Sequence, residues 1–270
     1  MTIARFGRWP PRADYPRFDW ESHGDRMPDM TGTLYVGTSG FAYDEWKGPF
    51  YPSTTKQREM LPFYASRFRS VEINYSFRQQ PAEKTLSAWS ESTPDGFVFA
   101  LKAHQRITHW MRLAGTDEAV SAFLDRVRTL GPRLGPILFQ CPPTLIFDRS
   151  LIESFLAYLP PTFRYAFEFR HPSWVSAKEI LASQGAAWCV AETDENPFEQ
   201  DRLEPGPFVY LRLRKTAYTE EDLRAWSERL RGACAQGSDV FCYFKHEEGG
   251  TGVMAASALE DLYRRDFRAI

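Results

Sequence analysis

From residue 33 onward, short apolar runs of strand length alternate with longer runs in which apolar residues recur every three to four positions. The strand-like runs are "TLYVGTSG", "SVEINYSF", "GFVFALKA", "GPILFQCPP", "RYAFEFRHP", "AAWCVAETD", "PFVYLRLRK" and "DVFCYFKHE". Between them lie helix-like runs such as "PAEKTLSAWSEST", "TDEAVSAFLDRVRTL", "DRSLIESFLAYL" and "TEEDLRAWSERLRGACAQG". Thr116 and Thr219 are placed to cap helices, with acidic residues in the first turns, and Gly185 and Gly237 to end them. Only the link between "AAWCVAETD" and "PFVYLRLRK" lacks a helical pattern. Regular alternation of strand and helix predicts a parallel sheet covered by helices. About eight repeats favour a closed (β/α)8 TIM-type barrel over residues 33–270. The rival doubly wound sheet lacks its nucleotide fingerprint, because "GTSGFA" does not carry the G-x-G-x-x-G spacing. Residues 1–32 are rich in Pro, Arg and Asp without a period and are read as an irregular N-terminal arm.

The strand ends carry a second pattern. In "YAFEFRHPSW", Phe167 and Phe169 fall on one face while Glu168 and Arg170 fall on the other. The same ending recurs as Glu72 and Asn74, Lys102, Gln140, Glu192 and Asp194, Arg212 and Arg214, and Lys245 followed by His246 and Glu247. In a barrel, one parity packs on the helices and the other lines the lumen. The inward groups at the carboxyl ends therefore share a polar bowl at the mouth, where barrel enzymes place their chemistry.

Composition changes this picture little. Charged residues make up 25% of the 270, with a formal net charge of −2, so no whole-chain basic footprint for nucleic acid exists. The expected bowl is richer in cations: Lys102, Arg170, Arg212, Arg214 and Lys245. Arginine forks suit phosphate or carboxylate. The glycines of "HEEGGTGVMAAS" stand where barrels often bind phosphate, although glycines after a strand are most often turn residues. The pattern thus points to an enzyme acting on a phosphate-bearing small molecule or oligonucleotide fragment by hydrolysis or acid–base chemistry. Glu168 and Glu72, with His171 and His246 as proton carriers, are the catalytic candidates. Lys102, Arg170, Arg212, Arg214, Asn74, Gln140 and Lys245 are the binding candidates, with Trp46 and Trp174 as stacking groups. Two alternatives stand beside this reading. One is a carbohydrate-active barrel using Glu72 and Glu168 as paired carboxylates. The other is a non-catalytic anion-binding module.

No cofactor is implied by a local motif. A divalent metal would have to be assembled in space from Glu72, Glu168, Glu192 and His246. Four scattered cysteines without metal spacing read as free thiols of a cytoplasmic protein. No apolar run reaches membrane-spanning length, and nothing in the pattern specifies an oligomeric state.

Several strings together, "YVGTSGFAYDEWKGPFYP", "VEINYSF", "GFVFALKAHQRITH", "LGPILFQCPP", "FEFRHPSW" and "FVYLRLRK", resemble the domain-of-unknown-function 72 (YecE-like) family. The resemblance implies a TIM-type barrel and no settled activity. It carries over Gly37, Ser39, Gly40, Trp46, Glu72, Asn74, Phe77, Lys102, Gln140, Glu168, Arg170, His171, Pro172, Trp174 and Arg212. The chain departs from commoner members at "EINYSFR", where many read "EVNSTFY". It departs again at Lys245, His246 and Glu247, where many carry two asparagines.

Overall fold

Eight strands run parallel in the order β1-β8-β7-β6-β5-β4-β3-β2, so that first and last sequence neighbours meet around a barrel. They are β1 Leu34–Thr38, β2 Ser70–Ile73, β3 Val98–Lys102, β4 Leu134–Gln140, β5 Tyr165–Glu168, β6 Ala187–Glu192, β7 Val209–Leu213 and β8 Val240–Phe244. The helices are α1 Gln57–Ala65, α2 Tyr75–Arg78, α3 Glu83–Glu91, α4 Asp117–Val127, α5 Arg149–Tyr158, α6 Lys178–Ser183, α7 Glu220–Ala235 and α8 Thr251–Arg265. This computed structural model describes residues 32–265 except 199, 201, 205, 246 and 247. The expected N-terminal arm therefore lies, apart from Gly32, outside the described residues. No helix among the described residues is long and apolar enough to cross a membrane, and all four cysteines are buried free thiols.

Local chemistry explains the helix ends. Thr219 and Asp222 form a reciprocal capping box on α7. Thr116 stands at the N-cap of α4, but its hydroxyl makes no capping bond there. Gly185 and Gly237 follow α6 and α7 with φ of 70° and 90°, the left-handed region that a glycine enters without a Cβ clash. No helix forms among the described residues of the β6–β7 link. Instead Phe198 of that link packs on Trp226 of α7.

Two apolar layers result. The outer one joins the strands to the helices, with Val71, Leu101, Phe139, Phe167, Leu211 and Cys242 on the strand side. The inner one fills the lumen with Tyr210, Phe241 and Tyr243 from β7 and β8 and with Phe208 just before β7. Small residues, Ala100, Ala166, Ala187 and Cys189, face these rings from the other side and make room for them. The lower lumen is thus solid, and only the mouth is left for polar groups.

The ring of strands is nearly closed. β1 and β2 meet at a single bridge, Ser39 to Glu72. Tyr64 of α1 fills the seam: its hydroxyl accepts from the Thr38 N–H at 2.8 Å and donates to the Ser70 carbonyl at 3.1 Å. Gly37 permits this approach. A Cβ there would lie 2.0 Å from the Ser70 oxygen and 2.9 Å from Tyr64 Oη. Gly37→Ala is therefore expected to destabilise the barrel by about 1–3 kcal/mol or more. Urea unfolding against wild type checks this, and an unchanged midpoint would contradict it.

Candidate functional site

The strand parity expected from the sequence holds for six strands. Ser70, Ala100, Leu138, Ala166, Tyr210 and Tyr243 face the lumen. Two residues further along, Glu72, Lys102, Gln140, Glu168, Arg212 and Lys245 follow on the same side. β6 departs from this. Ala191 is the register partner of Arg212, and Glu192 pairs with Leu213, so Glu192 faces the helix layer. There it accepts from Trp226 Nε1 at 3.1 Å and the Phe198 N–H at 3.3 Å. Asp194 lies on the same parity and holds Thr216 through its N–H and hydroxyl. Glu192 and Asp194 are thus removed from the expected bowl. A strand buried on both faces does not alternate clearly, and "AWCVAE" gave no marker of its true inward side.

Arg212 is the centre of the mouth. Its Nη1 donates to Glu168 at 2.6 Å and its Nη2 to Glu72 at 2.9 Å, all three side chains being buried. Glu72 also accepts from Ser39 at 2.6 Å, Tyr210 at 2.8 Å and Asn74 at 3.2 Å. It therefore ties β1, β2 and β7 together at the seam. Glu168 also accepts from Arg170 at 3.0 Å and Arg214 at 3.1 Å. Burial alone would raise both carboxyls. For Glu168 the charges of Arg212, Arg214 and Arg170 outweigh burial and hold its pKa at about 2. For Glu72 the Arg212 charge and the bonds from Ser39, Tyr210 and Arg212 hold it below the ordinary value.

This environment bears on one of the roles expected of the carboxylates, that of general acid. A general acid must hold a proton near neutral pH. Glu168 and Glu72 are both ionised and saturated with donors. They bind Arg212 between them, and Glu168 also holds Arg170 and Arg214.

Lys102 sits beside this network, 9% exposed. Its Nζ donates to Gln140 Oε1 at 2.6 Å and lies 3.8 Å from the centre of the Phe77 ring. Burial first, then Arg212 and Arg170, lower its pKa to about 8 against the opposing pull of Glu72 and Glu168. His109 packs edge-on against the same Phe77 ring at 4.9 Å. Burial, Lys102, Arg170 and Arg112 lower its pKa, which keeps its imidazole neutral at neutral pH.

His109 was not among the sequence candidates. It reaches the mouth on a π-helical turn, Arg106–Trp110, an insertion that local periodicity does not announce. Just after it, Arg112 and Leu113 take φ of 53° and 68°, strained values for side-chain-bearing residues. Arg112 fastens that loop to Thr144 through the carbonyl at 2.6 Å and the hydroxyl at 3.1 Å.

The structure also places the remaining candidates, His246 excepted. Trp46 is buried among Tyr43, Phe50 and Tyr51. Trp174 is buried with its ring stacked 3.8 Å from that of Phe169, and its Nε1 donates to the Leu145 carbonyl. Both support the loops and neither presents a face to the mouth. His171 caps a short 3-10 turn, its Nδ1 accepting from the Ser173 N–H at 3.3 Å. His246 lies outside the described residues. Lys245 is exposed at the rim, and Gly249 and Gly250 adopt positive φ as turn residues, Gly250 packed near Trp46 and Pro49. Among the described residues no three His, Cys, Asp or Glu side chains converge as a metal set. The set considered from the sequence does not assemble, because Glu192 faces the helices and Arg212 occupies the oxygens of Glu72 and Glu168.

The chain matches the family described as Protein of unknown function DUF72 over residues 35–270 and belongs to it. It is 32% identical over 148 residues to the UPF0759 protein YecE of Escherichia coli strain K12, covering 54% of this chain and 52% of that protein. The chain thus spans about half the length of that relative. It is 25% identical to the UPF0759 protein YunF of Bacillus subtilis strain 168 over 80% of this chain and 90% of that one. The crystal structure of a DUF72 family protein from Thermotoga maritima MSB8 superposes with a TM-score of 0.73 at 24% identity, covering 86% of this chain and 99% of that one. A DUF72 family protein from Enterococcus faecalis V583 gives 0.70 at 18% identity over 86% and 96%. These likenesses show the fold.

Acid titration tests the network. A carboxyl whose pKa is depressed on folding adds stability above its ordinary value of 4.5, and that stability is lost as pH falls toward about 2. Wild-type unfolding free energy is expected to drop through this window by on the order of a few kcal/mol. Urea unfolding at stepped pH checks it: Glu168→Gln should flatten the slope, and equal slopes would contradict the pairing.

Proposed function

We propose that this member of the DUF72 family is an enzyme whose mouth binds a small phosphate-bearing substrate. The observation that carries the reading is the charge imbalance of the bowl. Among the described residues, Lys102, Arg170, Arg212, Arg214 and Lys245 converge there against the carboxylates of Glu72 and Glu168. Both carboxylates are ionised, so they neutralise part of the cationic charge and leave an excess. The excess is partly buried at Lys102 and Arg214 and solvated at Arg170 and Lys245, and an anion bound among them would offset it. Phosphate supplies that charge and matches the arginine fork.

Arg170 has its side chain 38% exposed while its Nε holds Glu168, so it can reach a ligand from a fixed base. Lys245 stands at the rim as a second contact. Lys102, its pKa lowered to about 8, and His109, a neutral imidazole able to accept a proton, take the roles expected of the carboxylates. The carbohydrate reading needs one protonated carboxyl beside an ionised one, and the arginines oppose that state at both glutamates. A non-catalytic anion module would use the same cations but has no need of a lysine held near neutrality.

Isothermal titration with inorganic phosphate tests the reading. Saturable binding that weakens with added salt is expected, with Arg170→Ala losing about tenfold in affinity, or roughly 1.4 kcal/mol. Phosphate binding that is absent at millimolar concentration, or indifferent to Arg170→Ala, would contradict it.

A further inference from the structure

The least explained group in the mouth is Lys102. A lysine that only neutralised Glu72 and Glu168 would contact them, yet both carboxylates are taken by Arg212 and its partners. The Lys102 amine is instead held by a neutral amide oxygen, that of Gln140 at 2.6 Å, on the face of the Phe77 ring. The groups acting on it are Arg212 and Arg170, which disfavour the ammonium form, and Glu72 and Glu168, which favour it; His109, kept neutral, packs on the far side of the ring. Desolvation together with neighbouring cations is the arrangement that turns a lysine into a nucleophile. Holding the amine through one N–H leaves its lone pair free. The π face of Phe77 then stabilises positive charge that returns to this nitrogen.

We propose that Lys102 forms an imine with the carbonyl carbon of a phosphate-bearing aldehyde or ketone whose phosphate is held by Arg170 and the rim cations. The amine lone pair attacks the carbonyl carbon and the π electrons pass to oxygen. One amine proton moves to that oxygen. The carbinolamine then expels hydroxide, which takes a solvent proton and leaves as water, and the C=N bond closes as an iminium. No oxidant or reductant is consumed. The iminium withdraws electrons from the adjacent carbon, which assigns the site to bond breaking next to a carbonyl. The substrate class rests on the phosphate reading above, whereas the nucleophile rests on the surroundings of Lys102 alone.

Reductive trapping separates the two. The full chain is incubated with glyceraldehyde 3-phosphate, or with unphosphorylated glyceraldehyde, and sodium cyanoborohydride at pH 7.4. Alkylation of each lysine is then read by peptide mass spectrometry. Lys56 and Lys84, both exposed, serve as internal references. If accessibility alone decided, Lys102 would react more slowly than they do. The proposal expects it to react roughly tenfold faster or more, because its free amine appears around pH 8 rather than 10.5. The lead should shrink above pH 10, and Lys102→Arg, which keeps the charge, should lose this modification alone. Preference for the phosphorylated probe supports both readings. Equal trapping of both probes supports the imine and removes the phosphate reading. Lys102 lagging behind Lys56 and Lys84 overturns the imine, and it leaves the phosphate reading standing if phosphate still binds.

Discussion

One buried guanidinium shared by two buried carboxylates governs the top of this barrel. Each ion alone in that position would cost several kcal/mol in lost hydration. Together, with Ser39, Tyr210, Asn74, Arg170 and Arg214 completing the hydrogen bonds to the carboxylates, their charges are paired, while the buried Nε of Arg212 is left without a partner. The geometry also has a mechanical consequence. Strands β1 and β2 share little ladder, and Glu72 stands at their bridge. Arg212 reaches it from β7 across the lumen and grips Glu168 of β5 with its other nitrogen. The cross-lumen chain therefore reinforces, through side chains, a ring that the backbone closes between β1 and β2 at a single bridge.

The character of the mouth follows from the same chain. Because the carboxylates are committed to Arg212, they can neither donate protons nor neutralise the remaining cations in full. Arg170 and Arg214 are aimed by Glu168, and their charge extends toward solvent. Lys102 lies next to the network and is pushed toward its neutral form. Below, the aromatic plug of Tyr210, Tyr243, Phe208 and Phe241 keeps the lumen dry and sets the low dielectric in which these effects are large. On the reading proposed above, structural and chemical roles are split: the glutamates and Arg212 form the frame, and Lys102 is the group poised to change state.

Much of this was legible in the residue order, and the failures have physical causes. Strand and helix alternation, the glycines after α6 and α7, and the inward parity of Glu72, Lys102, Gln140, Glu168, Arg212 and Lys245 all follow from local periodicity. Glu192 was misplaced because β6 is apolar on both sides, so the ionisable end falsely suggested a face. Trp46 and Trp174, candidates for stacking from their places in loops after strands, are packed under those loops against neighbouring rings. The role of Glu168 depended on which cations reach it, a matter of tertiary distance that no single strand encodes. His109 entered the site through a π-turn, where one helical step is lengthened and the usual spacing breaks.

Arginine-selective nitrogen NMR of the side-chain guanidinium groups tests the central pairing most directly, with Arg212→Lys used to assign the signal. A guanidinium clamped by Glu72 and Glu168 should show resolved Nη–H resonances, slow rotation about its Cζ–N bonds and slow exchange with water at neutral pH. An averaged, rapidly exchanging Arg212 signal like that of exposed Arg58 would contradict the account.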